Sequence, residues 1–507
     1  MDKSEILRKQ ILISSVVVSK DYEFSKEIIV DDRLRVYVGK DLNYRTGKRD
    51  DGSDFIIAGD LISHIGAIDE VFDLLCNTKG SIENIDSDWT GRWLYLDNEV
   101  IVTDPCGLFG LWYYHSSSQF LCSTSSKILS LISSSELAIE LKIKQGLASW
   151  PFLPGPDEGI KRLLPTQYIN AESFRPIARS VILRDYFSLS DREVTDRTSK
   201  YLLSLVKSLK GSRLLVPLSA GLDSRLIASI VKSANLDFST YTFLKENSLT
   251  SNDVVKTSAV SYSDLTLPHI ISELLNVPHK YITPKEFNLT LYENYVRFSD
   301  GLVHENDLVY YAKSQWDQLD KNRIILLGQV AELGSLYYSE LLADIDSSDG
   351  SADQLESALN RVFNPEGHSV VSLSINSYCK YLHSTKYLFP DAVKLSERIY
   401  LEQRLAGWCS NLQQSLDITG TTRIHLFSSK VMISLFLSQS DKAKKERSSF
   451  KEIIMNLTPE LRTIPVNPKD PFFYSIKKFI YKIINTNKQA VLIKFKEAVK
   501  RLLKIST

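Results

Sequence analysis

The sequence has little of what marks the specialised classes of protein. Only five of its 507 residues are cysteine. They are widely scattered and no Cys/His pair has metal-ligand spacing, which argues against structural zinc and against a disulfide framework. No apolar run approaches the roughly 18–20 residues that a membrane-spanning helix needs. The net charge is zero. The chain therefore has no overall field to attract nucleic acid, and we expect no nucleic-acid partner.

The residues that are present form the composition of an ordinary globular protein. Apolar residues make up 43% and charged residues 24% of the chain, which excludes disordered, collagenous and coiled-coil proteins. At about 150 residues per domain, the length predicts two or three domains. The N-terminal residues lack the charged-then-apolar order of a secretory signal, so we expect a cytoplasmic protein.

Positive charge is concentrated near the C-terminus. Residues 471–507 contain nine basic residues and one acidic residue, a net charge of +8, in a helical pattern with Phe, Ile and Leu interleaved. Two interpretations stay open: a terminal helix docked on its own domain with a solvated lysine face, or weak contact with a membrane surface or a partner. We treat residues 471–507 as a separate tail.

Residues 1–190 are predicted to form a β-rich domain with a layered α+β structure. Short apolar or alternating segments are separated by turn signals, and a helical pattern covers residues 66–75. The predicted strands are residues 11–18, 34–38, 55–58, 93–96, 100–103, 111–114 and 120–122.

Residues 191–470 follow a different pattern, in which strands alternate with helical segments of about 10–15 residues. This alternation predicts βαβ units around a parallel sheet, so the fold class as a whole is α/β. Residues 335–465 are predicted to be mostly helical. The predicted strands are residues 213–218, 238–244, 280–282 and 323–327, and the predicted helices are residues 199–209, 225–234, 267–275 and 308–319.

The most informative segment is the loop at residues 219–224, Ser-Ala-Gly-Leu-Asp-Ser, which lies between a predicted strand and a predicted helix. Backbone N–H groups of such a loop and the helix N-terminus form an anion site, and Ser219 and Ser224 add hydroxyl donors. The carboxylate of Asp223 is explained if it holds Mg²⁺ that bridges to phosphates. The loop has no Walker lysine, and a purely structural turn is the alternative.

The order of residues in this loop resembles the pyrophosphate loop of the N-type ATP pyrophosphatases, Ser-Gly-Gly-x-Asp-Ser. Here Ala220 replaces the first glycine, which is acceptable only where φ is negative. The resemblance implies a nucleotide site formed by Leu218, Ser219, Ala220, Gly221, Asp223 and Ser224.

A wider region, about residues 50–468, resembles asparagine synthetase and its relatives, which include β-lactam synthetase and lasso-peptide cyclase. The resemblance implies that the first domain has the Ntn-hydrolase fold of a glutamine amidotransferase. The landmarks there are Gly91-Arg-Trp, Asp104-Pro-Cys-Gly, Phe120-Leu-Cys-Ser-Thr-Ser and Gly159-Ile-Lys-Arg-Leu-Leu-Pro165.

The first domain departs from the family at its catalytic position. The amidotransferase needs a cysteine directly after the initiator methionine, because the thiol is the nucleophile and the free amine is the base. This sequence has Asp2 there, and the glutamine-holding Asn-Gly-Glu is replaced around Ala58-Gly59-Asp60. We therefore expect no glutamine hydrolysis by this domain.

In the second domain, the resemblance implies further site residues. Phe243 falls where the family holds adenine, and Leu326-Leu-Gly-Gln-Val-Ala-Glu332 aligns with Leu-Ser-Gly-Glu-Gly-x-Asp. Gly328 would then line the nucleotide, Glu332 would hold Mg²⁺ together with Asp223, and Gln329 replaces a glutamate. Arg447 stands where the family has a catalytic lysine, and a preorganised cation there stabilises the leaving pyrophosphate. A solvated charge cluster with Lys442, Lys444 and Lys445 is the alternative for Arg447.

Together these features imply an ATP-dependent, AMP-forming amide ligase, with asparagine synthase as the closest activity of the family. Arg447 and Glu332 would be its catalytic residues, and ATP and Mg²⁺ its cofactors. The acid would be a small-molecule, glycan or peptide carboxylate, and the nitrogen would come from ammonia or an amine. His304 is either a substrate contact or an ordinary loop histidine. A catalytically retired homologue that acts as a scaffold is the alternative, and the resemblance also allows a homodimer.

Overall fold

The computed structural model describes residues 7–18, 24–78, 86–130 without 118 and 127, 132, 159–244, 259–283, 317–346, 351–364, 367 and 369–468. The predictions for Asp2, for the helix at 308–319 up to residue 316, for His304 and for the tail at 471–507 lie outside these residues. Among the described residues, no helix combines the length and the apolar character needed to cross a bilayer.

Two antiparallel sheets form the first part of the chain. One has the strand order β11-β9-β10-β1-β3-β2, and the other has the order β13-β12-β8-β7-β5-β4 with β6 paired to β5. The strands are β1 Ile11–Ser14, β2 Lys26–Ile29, β3 Arg35–Val38, β4 Tyr44–Lys48, β5 Asp54–Ser63, β6 Gly66–Ala67, β7 Thr90–Asp97, β8 Val100–Thr103, β9 Trp112–His115, β10 Phe120–Ser123, β11 Ile160–Arg162, β12 Gln167–Asn170 and β13 Arg175–Ala178.

The two sheets pack face to face, because their central strands each turn apolar side chains toward the other sheet. Ile13 and Val36 of the first sheet share one buried cluster with Ile56 and Leu94 of the second. Helix α1, Ile68–Cys76, covers the outer face of the second sheet. Each strand predicted before residue 130 overlaps an observed one, and the predicted helix at 66–75 overlaps α1.

A parallel sheet forms the centre of the second part, with the order β16-β15-β14-β17-β18. Its strands are β14 Leu214–Pro217, β15 Phe238–Phe243, β16 His279–Ile282, β17 Ile324–Leu327 and β18 Thr422–His425. The predicted α/β fold class is confirmed by this sheet and the antiparallel pair before it. Strand β18 is not among the predicted strands, since two of its four residues, Arg423 and His425, are buried polar side chains.

Helices surround the parallel sheet and account for most of residues 335–465, as predicted. The α-helices are α2 Asp191–Lys207, α3 Leu222–Ser233, α4 Ala259–Leu274, α5 Ala343–Asp346, α6 Ala352–Phe363, α7 Ser369–Ser384, α8 Leu395–Ile399, α9 Ser410–Leu416, α10 Lys430–Ser438, α11 Asp441–Glu446 and α12 Ser448–Leu457. A π-helix, Tyr400–Cys409, joins α8 to α9. Single turns of 3₁₀-helix are Asp86–Asp88, Arg184–Ser188, Ala331–Gly334, Lys386–Leu388, Asp417–Thr419 and Pro459–Leu461.

Buried ion pairs join the first part of the chain to the second. Arg92 on β7 donates two hydrogen bonds to the carboxylate of Asp417, at 2.8 and 3.1 Å. Arg423 of β18 donates to the same carboxylate. Lys9 pairs with Asp60 at 2.8 Å, and Asp60 also accepts the Arg423 N–H at 3.1 Å. Burial raises the pKa of Asp60, but Lys9 and Arg423 outweigh it and hold that pKa below its usual value.

Two of the segments that resemble family landmarks, at Gly91 and at Asp104, also lie where the two parts of the chain meet. The buried carboxylate of Asp104 accepts the N–H groups of Leu108 and Phe109, at 3.0 and 2.7 Å, and the hydroxyl of Ser428 at 3.1 Å. Gly91 has a φ of +123° and donates its N–H to the Ser428 carbonyl oxygen at 3.2 Å. These landmarks therefore have a structural role, because they hold the two parts of the chain together.

We predict that Arg92→Met destabilises the protein by about 3–5 kcal/mol, because it leaves buried acceptors and part of the Asp417 charge uncompensated. The free energy of unfolding in urea measures this. Arg33→Met is the matched control. Arg33 pairs with Asp31 at the surface, and such a pair contributes within about 1 kcal/mol. Equal losses in the two variants would contradict the stabilising role of the joint.

His425 is a buried histidine at the end of β18. Among the described residues, neither ring nitrogen has a hydrogen-bond partner. Burial, reinforced by the charges of Arg92 and Arg423, places the pKa of His425 well below its ordinary value of 6.5. Below pH 6.5 the unfolded chain therefore takes up a proton that the folded chain does not, and stability falls as the pH falls.

We predict that His425→Gln flattens the loss of stability between pH 6.5 and pH 5. A single histidine of this kind contributes up to about 1.4 kcal/mol per pH unit. Urea unfolding at several pH values measures the slope, with His383→Gln on an exposed face of α7 as the control. An unchanged slope in His425→Gln would show that this histidine is protonated in the folded state.

Candidate functional site

The candidate site lies where the parallel strands end. Because β14, β15 and β17 are parallel neighbours, their carboxyl ends meet at one edge of the sheet. The loop of residues 218–221 leaves β14 at this edge and leads into α3. Ligands of open α/β sheets bind at this edge.

Hydrogen bonds within the loop fix its shape. The N–H of Ser219 donates to the hydroxyl oxygen of Ser224 at 3.0 Å, and the two hydroxyl groups are 2.9 Å apart. The N–H of Gly221 donates to the Ser219 hydroxyl oxygen at 3.2 Å. Leu218 is buried and donates its N–H to the Tyr241 carbonyl oxygen at 2.8 Å, which ties the loop to β15.

The N-terminus of α3 has no side-chain cap. Gly221 is the N-cap residue, and its position supplies no side-chain hydrogen bond to the first turn. A helix leaves its first four N–H groups without intrahelical partners, and they carry partial positive charge. An anion is the partner that suits this end of the helix.

Ala220, the residue that departs from the usual glycine, fits its place. It is fully buried and is not among the residues with positive φ, so a side chain causes no backbone strain. Its N–H donates to the carboxylate of Asp264 on α4 at 2.7 Å. Burial raises the pKa of Asp264, an effect that this hydrogen bond opposes. One N–H group of the loop is therefore already occupied by a carboxylate of the same chain.

Asp223 lies in the first turn of α3 and pairs with Arg447, whose Nη2 donates to its Oδ1. About a third of the Asp223 side chain is exposed. Burial raises the pKa of Asp223 most, the charge and hydrogen bond of Arg447 oppose this, and the charge of Glu332 raises the pKa further. The two carboxylates predicted to hold the metal thus lie close enough to repel each other, and Arg447 is paired with one of them.

The backbone conformation of Arg447 and a contact of its side chain with an aromatic ring hold it in this position. Its backbone is left-handed, with φ 53° and ψ 37°, at the turn between α11 and α12. Its guanidinium lies 4.4 Å from the centre of the buried Phe450 ring. Lys444 points elsewhere, since it is buried against Glu397 at 2.6 Å. The alternative of a solvated cluster therefore does not describe Arg447.

Glu332 is placed by a strained turn after β17. Val330, two residues earlier, has φ 82°. A positive φ strains the backbone of a β-branched residue, and such strain is found most often at active sites and ligand-binding sites. Tyr400 of the π-helix donates its hydroxyl to Oε2 of Glu332. This hydrogen bond orients the carboxylate of Glu332 while its charge acts on Asp223.

Gly328 and Phe243 occupy the strand ends on either side of the loop. A side chain at Gly328 would place its Cβ 3.4 Å from Cβ of Asp223 and 3.2 Å from Cδ1 of Ile227, so β17 and α3 approach closely there. Phe243 ends β15, is half-buried, and its ring is 5.0 Å from that of Tyr241. Gln329 keeps a buried side-chain oxygen without a partner in the described part of the chain.

The site suits a hard divalent cation that is coordinated by protein carboxylates and by phosphate oxygens together. Among the described residues no group of three or more His, Cys, Asp and Glu side chains can hold a metal. Mg²⁺, however, is commonly held by one or two carboxylates together with phosphate oxygens. Asp223 and Glu332 fit that role, provided that Arg447 releases Asp223.

The structure thus places the predicted nucleotide-binding and metal-binding residues and Arg447 at one edge of the sheet, and it adds others that the sequence did not indicate. Asp264, Val330 and Tyr400 all contact or position the predicted residues. Each is recognised only in the folded chain. Asp264 is a carboxylate on a separate helix, Val330 has a positive φ, and Tyr400 supplies a hydroxyl from the π-helix. His304 lies outside the described residues.

Comparisons with known proteins leave the family open. No protein-family model and no curated protein matches the chain. The NMN synthetase of Francisella tularensis is similar over 54% of this chain and 94% of that chain, at 15% identity and a TM-score of 0.19. The glutamine phosphoribosylpyrophosphate amidotransferase of B. subtilis, complexed with ADP and GMP, is similar over 58% of this chain and 66% of that chain, at 10% identity and a TM-score of 0.22. TM-scores this low carry no inference about function.

We predict that Arg447→Met increases the affinity for Mn²⁺ about tenfold in the absence of nucleotide, because it frees Asp223 and makes the site more negative by one charge. Electron paramagnetic resonance of free Mn²⁺ measures this. Lys445→Met, which removes an exposed charge two residues away, controls for net charge. Equal affinity in Arg447→Met and Lys445→Met would mean that Arg447 does not compete with a metal.

Proposed function

We propose that this chain is an ATP-dependent, AMP-forming amide ligase that joins a carboxylate to ammonia or an amine. The observation that carries the proposal is the uncapped N-terminus of α3, with the carboxylates of Asp223 and Glu332 and the guanidinium of Arg447 beside it. A helix N-terminus binds phosphate, and the two carboxylates suit the Mg²⁺ that accompanies a nucleotide. Bound Mg²⁺ neutralises phosphate charge.

In this proposal the loop of residues 218–221 and the first turn of α3 bind the β- and γ-phosphates. The hydroxyl groups of Ser219 and Ser224 add donors. Gly328 lets the nucleotide approach the strand ends, and Phe243 lies beside the adenine. Arg447 leaves Asp223 when the nucleotide binds and donates to the phosphates, because arginine keeps its charge and binds phosphate bidentately.

The reaction has two steps. A carboxylate oxygen of the acid attacks the α-phosphorus, the bond from that phosphorus to the bridging oxygen breaks, and pyrophosphate leaves with the electron pair. Arg447 stabilises the charge that develops on pyrophosphate. The amine then attacks the acyl carbon, AMP leaves, and the proton of the amine passes to solvent. Gln329 cannot accept that proton as the usual glutamate would.

The first domain supplies no nitrogen in this proposal. Asp60, in the segment that replaces the glutamine-holding residues, is buried and engaged by Lys9 and by the backbone of Arg423. It is therefore not available to a substrate amine. The nitrogen source is free ammonia, a separate amidotransferase, or an amine on the substrate.

A second candidate function is a catalytically retired scaffold. Two contacts favour it: Arg447 already neutralises Asp223, and Asp264 already accepts the N–H of Ala220. A site whose charges are satisfied within the chain needs no ligand. The two candidates differ in whether the nucleotide displaces these contacts.

Exchange of radiolabelled pyrophosphate into ATP tests the ligase directly. We expect exchange that depends on Mg²⁺ and on one acid from a panel of aspartate, uronic acids and acidic peptides. Asp223→Asn should lower the exchange at least about a hundredfold, because it removes a carboxylate that would hold the Mg²⁺ that accompanies the reacting phosphates. Asp353 is an exposed residue of α6, and Asp353→Asn should leave the exchange rate unchanged. Equal rates in Asp223→Asn and wild type would contradict the assignment of the site.

A further inference from the structure

Arg404 is a cation beside the candidate site with no acidic partner in the described part of the chain. Arg404 itself is half-buried. Fully buried cations in the described residues pair with carboxylates, as Lys430 does with Asp86, or donate to backbone carbonyl groups, as Arg225 does. Arg404 has no carboxylate within 4.0 Å among the described residues, and its Nε atom is buried without a hydrogen-bond partner. Within the described part of the chain no side-chain or backbone group accepts a hydrogen bond from Arg404, so an anion can bind its guanidinium without displacing an existing contact.

Two aromatic rings hold this guanidinium. Its Cζ lies 4.0 Å from the centre of the Trp408 ring and 5.8 Å from that of Tyr337. Stacking on a ring occupies the face of a guanidinium and leaves its edge for a bidentate bond to a carboxylate. The arrangement therefore orients Arg404 for an anion without supplying one.

A continuous series of contacts connects Arg404 to the candidate site. The Tyr337 ring lies 5.1 Å from the Tyr400 ring, and the Tyr400 hydroxyl donates to Glu332. Burial raises the pKa of the neighbouring Tyr338 to about 12, with Arg404 opposing and Glu332 adding to the rise. Both charges therefore act on the Tyr338 hydroxyl, and the Tyr338 ring lies 5.2 Å from the Tyr337 ring and 5.6 Å from the Tyr400 ring.

The backbone and the exposure of the rings also point to a ligand. Tyr400, Arg404 and Trp408 lie on the ten-residue π-helix, a rare structure that is frequent at functional sites. Tyr337 is 45% exposed. An exposed aromatic face next to a cation suits a ligand that has both a flat ring and a negative charge.

We propose that Arg404 and Tyr337 form the subsite for the acid substrate, with Arg404 binding a carboxylate and Tyr337 packing against a ring that carries it. This inference rests on the proposed function and narrows its substrate to ring-bearing acids, such as a uronic acid or an aromatic acid. Trp408 is a positioning residue that keeps the guanidinium plane fixed.

Direct binding without nucleotide tests the subsite. The full chain is titrated in a calorimeter with D-glucuronate, 4-hydroxybenzoate and glutarate, the last being an open-chain acid. We expect one of the ring acids to bind at least about tenfold more tightly than glutarate, and Arg404→Gln to weaken that binding at least about tenfold. Arg404→Lys should recover only part of the affinity, because lysine lacks the planar fork.

Two further variants test which side chains form the subsite. Arg361→Gln, an exposed arginine paired with Asp344, should bind the ring acid as wild type does. Tyr337→Ala should weaken the ring acid and leave glutarate unchanged. These titrations contain no nucleotide and no Mg²⁺, so a failure of the nucleotide site leaves the measurement intact.

Tryptophan fluorescence gives a second readout, since a carboxylate on Arg404 changes the surroundings of the Trp408 ring. We expect a signal that saturates with the ring acid and disappears in Trp408→Phe. The subsite is wrong if neither ring acid binds wild type up to about 10 mM, if glutarate binds as well as the ring acids, or if Arg404→Gln binds them equally. Binding of a ring acid without pyrophosphate exchange would retain the subsite and reject the ligase.

Discussion

The ion pair between Asp223 and Arg447 is the contact on which the candidate site depends. It joins the first turn of α3 to the left-handed turn between α11 and α12, across 224 residues of sequence. The pair lets a carboxylate remain beside Glu332 in a partly buried cleft, where burial and the neighbouring negative charge raise the pKa of Asp223. Any metal or phosphate that binds there must compete with this pair. The Asp223–Arg447 pair therefore keeps the Asp223 carboxylate in place and also weakens the binding of a ligand.

Charge pairing also explains how the two parts of the chain are joined. Arg92, Asp417 and Arg423 form a buried cluster, and Asp104 gathers backbone N–H groups beside it. A buried charge is tolerated only when partners compensate it. Gly91 and Asp104 therefore have a structural role that requires no chemistry from the first part of the chain.

Much of the fold can be predicted from the sequence, because apolar runs and turn residues are local signals. The strands around residues 93–96 and 213–218 and the loop at 219–224 are found in this way. Strand β18 is not, since Arg423 and His425 are buried by ion pairs and close packing that no local pattern reveals. Asp264 and Arg404 cannot be predicted for the same reason, because their contacts are with residues that are distant in the sequence, such as Ala220 and Tyr337. The roles of Phe243, Gly328 and Glu332 remain predictions, although the structure brings them to one edge of the sheet.

The central claim is that nucleotide phosphates bind at the N-terminus of α3. Calorimetric titration with the magnesium complex of α,β-methylene-ATP, whose link between the α- and β-phosphorus atoms cannot be cleaved, tests it without any acid substrate. We expect saturable one-to-one binding that weakens at least about tenfold in Asp223→Asn. No binding to wild type, or equal binding to both proteins, would contradict the claim and leave the chain as a scaffold whose loop is filled by its own side chains.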